Sequence, residues 1–103
     1  MFGGNYGFFG GGVGGSSAAI VDIQQYTVSQ SVGVPQPGAT SFTFPTGLVG
    51  TNVTVFVNGY GYLVPTVQFS YTTSASGVTG ITLLTGLQFQ EGEFWTFTGF
   101  VEP

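Results

Sequence analysis

Apolar and polar residues alternate along much of this chain. Val53, Val55 and Val57 interleave with Thr54 and Phe56, and two is the interval at which side chains return to the same face of a strand. Phe42 and Phe44 share a face, with Ser41 and Thr43 opposite. Val67, Phe69 and Tyr71 repeat the pattern, as do Ile81 and Leu83. Trp95 and Phe97 oppose Phe94, Thr96, Thr98 and Phe100. Upstream, residues 18–34 read as one long extended segment, because Ile20, Val21, Ile23, Tyr26, Val28, Val32 and Val34 are β-formers while Gln24, Gln25, Ser29 and Gln30 fill polar positions. Thr27, Val28 and Ser29 weigh against a helix there.

Turn residues punctuate these segments. Asn58-Gly59 predicts a type I′ hairpin turn, which needs positive φ at both central positions, with Tyr60, Tyr62 and Val64 continuing the period beyond it. Pro35-Gln36-Pro37-Gly38 forces a turn, Pro45-Thr46-Gly47 ends the strand before it, and Pro65 marks an edge or bend. Residues 74–77 read as a loop and Glu91-Gly92-Glu93 as a tight turn. About seven or eight strands with turn signals at intervals of roughly ten residues, and no amphipathic helix, predict an all-β fold. The economical architecture is a single antiparallel β-sandwich over residues 18–103, jelly-roll-like or Ig-like. The segments 53–57 and 94–100 carry apolar residues on both faces, so the outer face is expected to be covered as well, by other copies of the chain.

Residues 1–17, MFGGNYGFFGGGVGGSS, break the pattern. Phe2, Tyr6, Phe8 and Phe9 sit among glycines, which raise the entropic cost of ordering and offer few side chains to a core. An extended Gly-rich N-terminal arm is expected here. One reading is a plain flexible linker; the other is a partner-binding arm whose four aromatics plug pockets on a neighbouring subunit.

Composition narrows the function further. The 103 residues suffice for one domain. The net charge of −4 comes from Asp22, Glu91, Glu93 and Glu102, with no Lys, Arg, His or Cys. Neutralising nucleic-acid phosphates or anionic lipid needs basic residues, so neither partner is expected. Thiolate and imidazole metal sites, His-dependent triads and Lys nucleophiles are all ruled out by residue type. Glu91 and Glu93 are the one candidate carboxylate pair; on a strand they would point the same way, a pair of carboxylates is the minimum for glycoside hydrolysis, and carboxylates with backbone carbonyls suffice for Ca²⁺. They flank Gly92 in a turn, where acids are ordinarily solvated. We therefore expect no enzyme activity, no cofactor and no metal. The glycines at 10–15 lack the Lys and the preceding strand of a phosphate loop. Asn52-Val53-Thr54 matches the glycosylation pattern by chance at a strand start. Trp95, Tyr60, Tyr62 and Tyr71 could stack on sugars, but strand aromatics more often serve core or interface. No stretch has the features of a signal peptide or the length of a membrane helix.

Across residues 42–100 the chain resembles small β-modules of bacteriophage virion proteins, such as tail-fibre and head-decoration components. The resemblance is carried by Phe42-Thr43-Phe44-Pro45, by Val53-Thr54-Val55-Phe56-Val57-Asn58-Gly59, and by Phe69-Ser70-Tyr71. Ile81-Thr82-Leu83, Leu84, Leu87 and the Glu91-Gly92-Glu93 turn complete it. Asn58-Gly59-Tyr60-Gly61 and Pro65 depart from that pattern and leave the strand register open. The resemblance implies a multi-copy, capsid-associated structural protein of the virion (vertex or penton-like, decoration or spike-base), assembled in the host cytoplasm. Its partners would be other copies of itself and a major capsid or other virion protein. The alternatives are a fibre-tip or adhesin module binding a cell-surface glycan, and an extracellular subunit assembled by strand addition.

Overall fold

The computed structural model of the chain describes residues 19–75 and 77–101. They form seven strands: β1 (Ala19–Thr27), β2 (Ser41–Leu48), β3 (Asn52–Val57), β4 (Gly61–Tyr62), β5 (Phe69–Ser74), β6 (Gly77–Leu83) and β7 (Phe94–Val101). Among the described residues there is no helix. The strands make two antiparallel sheets, one in the order β1-β7-β3-β4 and one in the order β2-β6-β5. Residues 1–17, the expected arm, lie outside the described residues.

The alternation buries what it promised. Val53, Val55 and Val57 of β3, Trp95 and Phe97 of β7, Phe42 and Phe44 of β2, and Ile81 and Leu83 of β6 point into one hydrophobic core shared by both sheets. Aromatic rings bridge the layers. Phe97 lies 5.0 Å from Phe44 edge-on and 6.2 Å from Phe42. Tyr26 of β1 meets Phe42 at 4.9 Å. Its hydroxyl donates to Gln24 Oε1 at 2.5 Å. Burial raises the Tyr26 phenol above its ordinary pKa, and the nearby Asp22 carboxylate adds to the shift.

Several sequence expectations are corrected. The extended segment at 18–34 stops at Thr27: Val28 is buried, but Val32 is fully exposed. Ser29 N–H donates to the Pro35 carbonyl, and the Gln36 amide donates to the carbonyls of Ser31 and Val34. The chain here closes a loop on itself, because a run of Ser and Gln followed by Gly33 at φ 85° turns more readily than it pairs. Pro45 does not end its strand. β2 runs through to Leu48, with the register slipping between Thr43 and Leu48, since Pro is tolerated on a sheet edge. Val67 sits exposed in a turn rather than on β5. At Asn58-Gly59 only the glycine has positive φ (83°), which is the requirement of a type II turn rather than type I′. The Tyr60 N–H donates to the Val57 carbonyl to close it. β5 and β6 are joined more tightly than a 74–77 loop, since Ser74 already pairs with Gly77.

Where β2 leaves its sheet, residues 48–50 cross the last strand at backbone contact. A Cβ on Gly99 would collide with the Val49 carbonyl oxygen, and one on Gly77 with the Leu48 carbonyl oxygen. Close backbone approach of this kind selects glycine. Asp22 reinforces the corner, its carboxylate accepting the Val49 N–H at 3.0 Å. Gly99→Ala is expected to lower unfolding free energy by about 3 kcal/mol in a urea titration, as an overpacked core site does. Gly92→Ala, at φ 86° but in open space, should lose only about 1 kcal/mol. Equal losses would show that the corner is not close-packed.

Candidate functional site

Two surfaces compete for the role of functional site: the outer face of the four-stranded sheet and a notch at one end of it. The outer face follows from register. Outward positions align across the strands as Ile20, Phe100 and Asn52, then Ile23, Thr98 and Thr54, then Gln25, Thr96, Phe56 and Tyr62, with Thr27 and Phe94 beyond. A threonine centre is thus framed by apolar side chains. Ile20 and Ile23 are more than half exposed, and Phe56 and Tyr62 pack edge-on at 4.9 Å. No position aligned here is charged. The outer face of the other sheet differs. Ser41, Thr82 and Ser70 align, then Thr43 and Thr72 on either side of Gly80, giving a surface of hydroxyls that water solvates well.

The notch is built where β3, the β3–β4 turn and the approach to β7 meet. Val57, Tyr60, Leu63, Leu87, Gln88, Glu93 and Trp95 line a volume of about 60 Å³. Val57, Leu63 and Trp95 are buried and form its apolar base. Glu93 Oε1 accepts the Gln90 backbone N–H at 2.9 Å and the Trp95 indole N–H at 3.1 Å. The Tyr60 hydroxyl, on the rim, accepts from the Gln68 amide at 3.4 Å. Small-molecule sites run to roughly 300 Å³ or more, so this notch has room for one small group.

The carboxylate pair does not assemble. The Gln90–Glu93 turn closes as expected, with Glu93 N–H donating to the Gln90 carbonyl. Glu91 is exposed while Glu93 turns back to hold the indole, so Glu93 orders a turn and an aromatic ring. Among the described residues no group of three or more acidic, His or Cys side chains could hold a metal ion. Asn52, in the glycosylation pattern, accepts the Tyr71 hydroxyl at 3.1 Å and donates to Thr51. Trp95 is buried and Tyr71 half-buried, leaving Tyr60 and Tyr62 as the exposed aromatics of that set. Phe2, Tyr6, Phe8 and Phe9 lie outside the described residues. The notch itself escaped the sequence reading. Its one local signal is the Asn58-Gly59-Tyr60-Gly61 run, which lifts Tyr60 out of the alternation.

Glu93→Gln keeps the shape of the side chain but removes the charge that strengthens both bonds. It is expected to lower stability by about 1 kcal/mol and to alter Trp95 fluorescence in the folded state. Unchanged emission and stability would show that the carboxylate does not hold the indole.

No protein-family model, curated protein or solved structure matches this chain.

Proposed function

We propose that this chain is a non-catalytic structural subunit used in several copies, a capsid-associated component of a bacteriophage particle. The observation that carries the reading is the uncharged, aromatic-framed outer face of the four-stranded sheet. Its apolar side chains form two groups, Ile20, Ile23 and Phe100 on one side of the threonines and Phe56, Tyr62 and Phe94 on the other, and exposed apolar groups of this kind favour burial against a partner. Copies that each carry a net charge of −4 can meet there without placing like charges opposite one another.

Topology supports the jelly-roll form of a β-sandwich over the Ig-like form. The first strand lies beside the last, the second beside the next-to-last, and the last strand is interior to its sheet. A chain folded as one long hairpin and then wrapped gives these two pairings, while β3 with β4 and β5 with β6 pair as neighbours in sequence. In an Ig-like sandwich the last strand instead lies in the sheet that holds neither the first strand nor its partners. Jelly rolls are a recurrent capsid architecture.

Size supports a role for the arm. The four strands hold nine, eight, six and two residues, and at about 3.3 Å per residue and about 4.8 Å between strands they give a face of roughly 400 Å². Stable interfaces bury about 800 Å² per partner. The face alone therefore makes a weak contact, and the Gly/aromatic residues 1–17 would supply the remainder. A glycan-binding tip is the second reading, favoured by Tyr60 and Tyr62, which stand exposed two residues apart.

The purified chain is expected to self-associate weakly in sedimentation velocity. Ile23→Lys with Phe94→Lys should return it to monomer with little change in melting temperature, because both side chains are already exposed. A wild-type chain that stays monomeric near millimolar concentration would defeat the assembly reading. The virion role has its own test. Quantitative mass spectrometry of purified particles should find the chain at a fixed ratio to the major shell protein. A chain lacking residues 1–17 should unfold cooperatively but fail to enter particles; incorporation at the normal ratio would overturn the arm's part in it.

A further inference from the structure

We infer that the notch formed by Val57, Tyr60, Leu63, Leu87 and Trp95 receives one aromatic ring from the Gly-rich N-terminal segment of a second copy. The inference rests on the assembly reading and names the place where the arm would bind.

Volume is the first argument. A space of about 60 Å³ holds roughly four to six water-sized spheres at 10–15 Å³ each. That is the scale of a single ring, and too small for a peptide backbone to enter with its side chains. Chemistry is the second. The base is apolar, with the Trp95 ring in it, and ring pairs add about 0.5–1.5 kcal/mol beyond burial. Among the described residues that line the notch the one charge is the Glu93 carboxylate, already bonded to the indole. An acidic occupant would meet repulsion there. Residues 1–18 carry no charged side chain, so entry of their rings desolvates no side-chain charge of their own.

Sequence spacing is the third argument. Phe2, Tyr6 and Phe9 are each followed by glycine. A ring followed by glycine enters a narrow opening with no side chain on that side to strike the rim, although Met1, Asn5 and Phe8 precede the three rings. Reach is the fourth. Phe9 lies ten residues before Ala19, where β1 begins, and ten residues span up to about 35 Å when extended. That length carries a ring off the end of one sheet and across the face of a neighbour. Small aromatic anchors seated in preformed pockets are the usual source of affinity where flat contact area is limited.

Trp95 is the single tryptophan, so its indole N–H gives one isolated resonance inside the proposed site. The test follows that resonance in the intact chain as protein concentration rises, beside a chain carrying Phe2→Ser, Tyr6→Ser, Phe8→Ser and Phe9→Ser. The resonance is expected to shift with concentration in the intact chain and to stand still in the four-serine variant. Leu87→Phe, which fills the notch from its half-buried wall, should also abolish the shift, with the remaining spectrum verifying the fold. If the intact chain self-associates through its arm while the indole resonance ignores concentration, the notch is not the receptor, although the assembly reading stands. A resonance already displaced at the lowest concentration and released by the serine substitutions would place the ring in its own chain, overturning the second-copy assignment. A shift produced by added methyl glycosides, and not by protein concentration, would overturn it in favour of the glycan reading.

Discussion

The packing of Phe97 against Phe42 and Phe44 is the contact on which the rest of this structure depends. The chain has no cysteine to cross-link, no basic residue to pair with its four acids and no His or Cys to bind a metal. Cohesion must come from apolar burial and backbone pairing. Stacked sheets lie about 10 Å apart, a gap that large rings from both sides can fill. Phe97 occupies it from β7, within 6.2 Å of the ring centres of Tyr26, Phe42, Phe44 and Trp95. β7 can serve this way because it is held on both sides, by β1 and by β3. An interior strand fixes its inward residues more firmly than an edge strand does, and here it carries both the central ring and the wall of the notch.

Packing at this density constrains the connections. The chain passes between the sheets at residues 48–50, where its backbone lies directly on Gly99 of β7 and Gly77 of β6. The glycines let β2 and β7 approach, which in turn brings Phe44 onto Phe97. Asp22 contributes from the neighbouring strand by accepting the Val49 N–H. One of the few charged residues is therefore used to set a corner, and Glu93 is used to set a turn and an indole. Little charge is left to keep copies apart in solution.

The strands whose inward faces are apolar were legible because alternation records burial directly. Val53 to Val57, Phe42 with Phe44, Ile81 with Leu83, and Trp95 with Phe97 all follow from it. Alternation misled where β-formers are spaced by two but lack a pairing partner. Val32 follows Ser29-Gln30-Ser31, and hydrogen bonds from Ser29 and Gln36 close that stretch into a loop. Val67 lies in a turn closed by the Gln68 N–H on the Val64 carbonyl. The persistence of β2 past Pro45 depends on its being an edge strand, a property of the sheet order that no local pattern expresses. The notch was hidden for a similar reason. Its walls come from residues 57–63 and 87–95, which meet only because β3 pairs with β7, and no periodicity within either segment encodes that meeting.

The contrast between the two outer faces gives the molecule a direction. Hydroxyls on the three-stranded sheet keep that surface hydrated without charge, while Ile20, Ile23, Phe56 and Phe94 on the four-stranded sheet are hydrated poorly. Water therefore favours covering one face and not the other. A subunit with a single sticky face makes a closed contact with one neighbour and then stops. Extension to a larger assembly needs a second element that reaches outside that contact, and a long segment of glycine and aromatics leading into the edge strand β1 has the required character. Under the proposed assembly role, the scarcity of charge, the rings left outside the core and the glycine-rich N-terminal sequence would answer one requirement, a small domain covered by its neighbours.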